Sequence, residues 1–414
     1  MGLGHGVPEM KRYPLLALAV FALTLRAACA VVTEFHPIFP AYYYTDARLF
    51  HEAAVAALQA RAQGRPPVFA GPRAARVQTA FVYAVYRVAG PQPFAVKLVN
   101  AVLGAVGVLV MAWMFSFVFS LRAAVIAGAL VAAWPSHVFY TSQNLKESPA
   151  NLLAYAGLAC ALTAGFSLGS PRARRAAFAA GAVLALIGAG FYRPPVLTAV
   201  SAALLAALCF AVVRERGRRV QALTVVAAVV ASLAAYSWLS RRADVYESQL
   251  LPAVSATGLS AYRQTQVGVV RAMARNLGNR ELGTPIYPEA EFKSWGGVLA
   301  FLPKGAFTVL FMPLPGLYPL DGKIGRIAAS SENLLLLLIS ALAVLGIIRG
   351  PKSPARLGLL VFFAAMTAGA ALLEIDLGGA GRHKLLYLPM LFPFAAEEVL
   401  RRLRRAGVLT SGAL

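Results

Sequence analysis

Acidic side chains are scarce in this sequence: 17 Asp and Glu stand against 39 Lys and Arg in 414 residues. Each one outside a basic cluster is therefore informative. Asp46 sits in the run Tyr42-Tyr43-Tyr44-Thr45-Asp46-Ala47-Arg48, just after the first apolar stretch. A carboxylate there can act as a general base on an acceptor hydroxyl. It can equally cap the helix expected over 47–62. Glu147 lies in Asn144-Leu145-Lys146-Glu147-Ser148-Pro149, at the mouth of another apolar run. Ser148 and Pro149 read as the N-cap and first residue of a helix. Glu147 could orient an acceptor or merely anchor a helix end at the interface. The run Gly378-Gly379-Ala380-Gly381-Arg382-His383-Lys384 places three basic residues directly before an apolar stretch. That cluster suits an anion, with glycines allowing close approach. Snorkelling of Arg and Lys to the headgroups is the rival reading. Lys304, Arg326 and Arg193 are further cations expected on the same side.

Other chemistries find little support. His5, His36, His51 and His137 show no metal-type spacing. Asp46, His51 and Glu52 offer side chains of a type that binds a divalent ion, but no metal site is assigned. Cys29, Cys160 and Cys209 all lie in apolar runs, so no disulfide framework is expected. There is no Walker loop, GxGxxG, GxSxG or HExxH, so nothing points to nucleotide chemistry.

The elements that must position these residues are membrane helices. Hydrophobic residues make up 59% and charged residues 14% of the chain. A soluble domain carries about 45–50% and about 25%. The net charge of +22 would suggest nucleic acid in a soluble protein. Here it suggests cytoplasmic anchoring and an attraction for anionic lipid or phosphate. A span needs about 20 apolar residues. Ten stretches qualify: 14–33, 95–118, 122–140, 149–168, 176–192, 195–213, 220–239, 332–348, 358–374 and 385–400. Five basic clusters, at Lys11-Arg12, 172–175, 214–219, 349–356 and 401–405, then fall on one side, the cytoplasm. Both termini are inside, and the long stretches 34–94 and 240–331 are outside. Residues 301–318 hold three prolines and Lys304 and read as a re-entrant or interfacial segment; an eleventh span is the alternative. A signal peptide ending near Ala28-Cys29-Ala30 is another reading of the N-terminus. The chain thus divides into a membrane module 1–239, an outer loop 240–331 and a second membrane module 332–414.

Taken together, these pieces resemble the GT-C type membrane glycosyltransferases, in the branch that includes protein O-mannosyltransferases and lipid A aminoarabinose transferases. Four stretches carry the resemblance: Thr45-Asp46-Ala47-Arg48; Val96-Lys97-Leu98-Val99-Asn100-Ala101-Val102-Leu103-Gly104; Ala132-Ala133-Trp134-Pro135-Ser136-His137-Val138-Phe139-Tyr140-Thr141-Ser142 with Lys146-Glu147; and Gly381-Arg382-His383-Lys384 before Leu388-Pro389. Many members carry a second acid directly after the first-loop Asp, where this chain has Ala47. A two-acid metal site is therefore not expected, although a divalent metal stays open. The resemblance implies an all-α polytopic fold. It implies transfer of a sugar from a polyprenyl phosphate to an acceptor at the outer face of a bacterial cytoplasmic membrane. Asp46 would be the base and Glu147 would orient the acceptor or a metal. Arg382, His383, Lys384 and Lys304 would bind the donor phosphate. Two rival classes are an O-antigen or exopolysaccharide polymerase or ligase, and a lipid-linked sugar transporter. A transporter would place charges in mid-span; here Arg26 alone sits well inside a candidate span.

Overall fold

A computed structural model describes residues 12–37, 39, 44–166, 171–214, 219–241, 255–276, 284–321 and 323–408. Lys11, Tyr42, Tyr43, Arg216, Arg218, and residues 242–254 and 277–283 of the long loop lie outside the described residues. The described chain is helical. Its helices are α1 Arg12–Phe35, α2 Thr45–Ala62, α3 Arg73–Ala89, α4 Pro93–Val118, α5 Leu121–Ala133, α6 Pro135–Tyr140, α7 Glu147–Phe166, α8 Arg172–Tyr192, α9 Pro195–Arg214, α10 Arg219–Arg241, α11 Ala256–Asn276, α12 Trp295–Phe311, α13 Ile324–Arg349, α14 Pro354–Leu373, α15 Leu377–His383 and α16 Phe392–Arg405. Among the described residues seven helices are long and apolar enough to cross a membrane: α1, α4, α7, α8, α9, α13 and α14. Shorter apolar helices cover Leu121–Ala133, Val229–Leu239 and Trp295–Phe311. This is a multi-pass membrane protein.

Two departures from the hydropathy reading have local causes. The expected span 122–140 is broken, because Pro135 cannot donate to α5 and Trp134 before it is extended. The expected span 385–400 is two 3-10 turns, Lys384–Leu386 and Leu388–Leu391, followed by α16. Pro389 and Pro393 interrupt the backbone pattern there, and α16 ends in four arginines. The stretch 34–94 contains a helical hairpin, α2 on α3.

The chain forms two compact units that interleave in sequence. The first holds Met1–Trp238, Ile339–Phe362 and Pro389–Leu414. In it α7 packs along α8, α4 packs on α1, α5 and α7, and α16 packs on α5. The α2–α3 hairpin buries Phe50, Ala54 and Ala57 against Val82, Tyr83 and Tyr86, and rests on Val96 of α4 and on Leu145. In the same unit Glu398 is wholly buried and accepts from Arg349 at 2.6 Å, while Glu397 takes both arms of Arg356 at 2.7 Å. Backbone contact is closest at Gly346, where a Cβ would stand 2.1 Å from the carbonyl oxygen of Phe394. Gly346→Ala is therefore expected to lower the thermal midpoint in detergent. Overpacking costs roughly 1–3 kcal/mol, which exceeds the roughly 1 kcal/mol that alanine gains in a helix.

The second unit holds Leu239–Leu338 and Phe363–Leu388. Ala256 and Leu259 of α11 pack with Phe292 and Val298. Arg263, 1% exposed, gathers four carbonyls: Leu372 at 2.7 Å, Ile286 at 2.9 Å, Tyr287 at 3.2 Å and Glu374 at 3.3 Å. An isolated bridge pairs Pro285 with Asp376.

Candidate active site

In the first unit one face of α4 organises the polar residues. Lys97, Asn100 and Gly104 recur at helical spacing and so share that face. Lys97 Nζ meets Glu34 Oε2 at 2.8 Å. Asn100 Nδ2 donates to the carbonyls of Gln143 at 2.5 Å and Leu145 at 3.1 Å. Gln143 Nε2 donates to Thr33 Oγ1 at the end of α1, at 3.0 Å. Asn144 Nδ2 donates to the carbonyl of Ala47, at 3.2 Å. The irregular turn 141–146 is thus tied to α1, to α4 and to the first turn of α2.

Both expected carboxylates border that turn. Asp46 is the second residue of α2 and partly buried; Tyr44, not Asp46, occupies the cap position. Its charge suits the positive end of the helix dipole. Glu147 opens α7 and is wholly buried. Its Oε1 accepts from Arg193 Nη2 at 3.2 Å, across side chains 1% and 9% exposed. Ser148, expected as the cap, instead donates its hydroxyl to the carbonyl of Thr141 at 2.8 Å. Glu147 Oε2 and Asn144 Oδ1 are buried with no hydrogen-bond partner among the described residues. Buried polar atoms are ordinarily paired, so these two oxygens keep acceptor capacity that a ligand's donors could use.

The other four expected residues lie in the second unit. The glycine-rich stretch is not a flexible loop but the short helix α15. Asp376 Oδ2 accepts from the Gly379 amide at 2.9 Å, and a Cβ on Gly378 would come 2.9 Å from that same oxygen. The glycines serve close capping there. Arg382 and His383 end the helix half-buried, and the His383 ring bonds to the Glu374 carboxylate. Lys384 points inward. It is buried, donates to Asn333 Oδ1 at 2.5 Å and to the carbonyl of Leu310 at 3.1 Å, and burial pulls its ammonium down to about 8. Lys304 stays exposed, 4.1 Å over the ring of Tyr287, whose hydroxyl bonds Thr308 at 2.9 Å.

Among the described residues no group of three or more His, Cys, Asp or Glu gathers as a metal cage would. His51 Nδ1 is bonded to Tyr86 at 2.7 Å and Glu52 to Arg48 at 2.7 Å. The orphaned oxygens of Glu147 and Asn144, with Asp46 on the adjoining turn, are nonetheless of the hard type that fits a divalent cation.

No protein-family model and no curated protein matches the sequence. Solved structures do match. The structure of ArnT from Cupriavidus metallidurans bound to undecaprenyl phosphate aligns with a TM-score of 0.54 at 14% identity, over 94% of this chain and 59% of that one. The oligosaccharyltransferase AglB from Archaeoglobus fulgidus, in complex with an inhibitory peptide and a dolichol-phosphate, aligns with a TM-score of 0.55 at 15% identity, over 97% and 53%. Both are GT-C glycosyltransferases. This chain has the GT-C fold. It spans between a half and three fifths of the length of those proteins. Sequence reading singled out Asp46 and Glu147 within this fold but missed Asn100, Asn144 and Arg193 as their supports. The spacing of Lys97, Asn100 and Gly104 on one helical face was the available signal.

Proposed function

We propose that the protein is a glycosyltransferase that moves a sugar, hexosyl or pentosyl, from a polyprenyl-phosphate donor to an acceptor at the outer face of a bacterial cytoplasmic membrane. The observation that carries the reading is the Asn144–Ala47 staple, which holds the turn bearing Glu147 against the helix turn bearing Asp46 within a GT-C fold. ArnT and AglB, solved with polyprenyl-type phosphates, support the donor class.

In this reading the acceptor hydroxyl or amine donates a hydrogen bond to Glu147 Oε2 and gives up its proton to Asp46. Its lone pair attacks the anomeric carbon, and the bond from that carbon to the phosphate oxygen breaks. The electron pair leaves with the lipid phosphate. The family resemblance assigns that charge to Arg382, Lys304 and His383, which the second unit carries. Lys384, bonded inward, holds the turn that presents Arg382. A divalent cation, if held by Glu147, Asn144 and Asp46, would supply positive charge on the acceptor side.

The test is release of free polyprenyl phosphate by the purified protein from polyprenyl-phosphate-linked hexose and pentose donors. Failure with every such donor in vesicles, by folded protein, would defeat the reading. Arg382 makes a second check. Arg382→Ala is expected to lower kcat roughly 10²-fold, the scale of losing one preorganised donor. Arg382→Lys restores charge without the bidentate fork and should recover only part of that. If Arg382 only snorkels, Lys will give wild-type kinetics.

A further inference from the structure

α1 carries Arg26 nine residues before its C-terminal end, about 13 Å along the axis at 1.5 Å per residue. The side chain is wholly buried. An ionisable group within an apolar span is costly, and by default it signals function. None of its described hydrogen bonds goes to a carboxylate. Nε donates to Thr141 Oγ1 at 3.0 Å, Nη2 bonds His137 Nδ1 at 2.8 Å, and Nη1 donates to the carbonyls of Ala22 at 3.0 Å and Ala132 at 3.3 Å.

Two of these four bonds end on the broken stretch between α5 and α7, and a third on the last turn of α5. Pro135 stops α5 and leaves carbonyls in its last turn without helical partners. Ala132 offers one of them, and Arg26 takes it. Thr141 is the hub. Its hydroxyl accepts from Arg26 and donates to the carbonyl of His137 at 2.6 Å, and its own carbonyl accepts from Ser148 Oγ at 2.8 Å. Ser148 directly follows Glu147. The guanidinium is therefore linked to the neighbour of the buried carboxylate through a single residue. α4 makes room for this contact. A Cβ on Gly104 would stand 2.8 Å from Thr141 Cβ and 2.9 Å from Arg26 Nε.

We infer that Arg26 is a positioning residue that holds the 134–148 stretch, and with it Glu147, in its working geometry. Its guanidinium acts as a staple rather than as a ligand for the donor phosphate. The inference rests on the transferase reading only for the role of Glu147; the staple itself can be tested without it.

The full chain is used, with Cys29, Cys160 and Cys209 replaced by serine and Ser142→Cys as reporter. Ser142 is wholly buried, so its thiol should react slowly with a small methanethiosulfonate. Adding Arg26→Met should speed labelling about tenfold or more by releasing the turn to local opening. An unchanged labelling rate in folded protein overturns the inference. If Arg26→Met does not fold, Arg26→Lys and Thr141→Val carry the same measurement. The kinetic arm uses Thr141→Val, which removes the hydroxyl at nearly constant volume. Its kcat should fall about 10–100-fold, the scale set by misplacing a catalytic group. The donor KM should stay within about twofold. Wild-type kcat, or a loss confined to donor KM, overturns the positioning role. A wild-type protein with no transferase activity would sink the transferase reading, while the labelling rates would still decide the staple.

Discussion

Asp46→Asn is expected to lower kcat by roughly 10²–10⁴-fold, the usual contribution of a general base. The exchange is nearly isosteric, and Asp46 is partly buried in the first turn of α2 without serving as its cap. Losing one charge near the helix dipole costs only about 0.3–1 kcal/mol, so the protein should fold and insert normally. Turnover of a polyprenyl-phosphate donor, normalised to monodisperse protein, is the measurement. Near-normal turnover would reduce Asp46 to a dipole partner and remove the base from the mechanism.

The Glu147–Arg193 pair should show the largest stability effect. Both side chains are almost fully enclosed. Arg193→Met leaves a buried carboxylate without that guanidinium, and breaking such a pair costs about 3–5 kcal/mol. The thermal midpoint should drop sharply and turnover should vanish. Replacing both partners, Arg193→Met with Glu147→Leu, should return most of the lost stability, because apolar replacements of buried pairs are often neutral. Activity should stay absent, since the carboxylate proposed to face the acceptor is gone. A double variant that regained both stability and turnover would make the pair purely architectural. The two readouts therefore separate what the pair does for the fold from what Glu147 does for the acceptor.

Much of this was legible in the residues. Apolar runs long enough to span a bilayer are sums over neighbours in the chain, so the helices at 12–35, 93–118, 147–166, 172–192 and 195–214 follow from composition alone. The scarcity of acids singled out Asp46 and Glu147, and the order of four motifs pointed to the GT-C fold before any coordinates. Local backbone chemistry went partly unread. Pro135, Pro389 and Pro393 sit inside hydrophobic runs that hydropathy counts as continuous, although each removes a backbone donor.

What the sequence determined by itself is therefore local: which stretches are apolar, where proline breaks them, and which rare charges are worth watching. Tertiary structure alone decided how those charges are held. Arg26 meets Thr141 from 115 positions away, Arg193 meets Glu147 from 46, Asn100 meets Gln143 from 43 and Lys384 meets Asn333 from 51. No periodicity encodes such pairings, because a buried donor takes whichever acceptor helix packing brings within about 3 Å. The same rule turned Lys384 inward and left Arg382 half-buried, though the two are separated by one residue. It also closed every side-chain bond of Arg26 onto the 132–148 stretch or its own helix, while leaving one oxygen of Glu147 open.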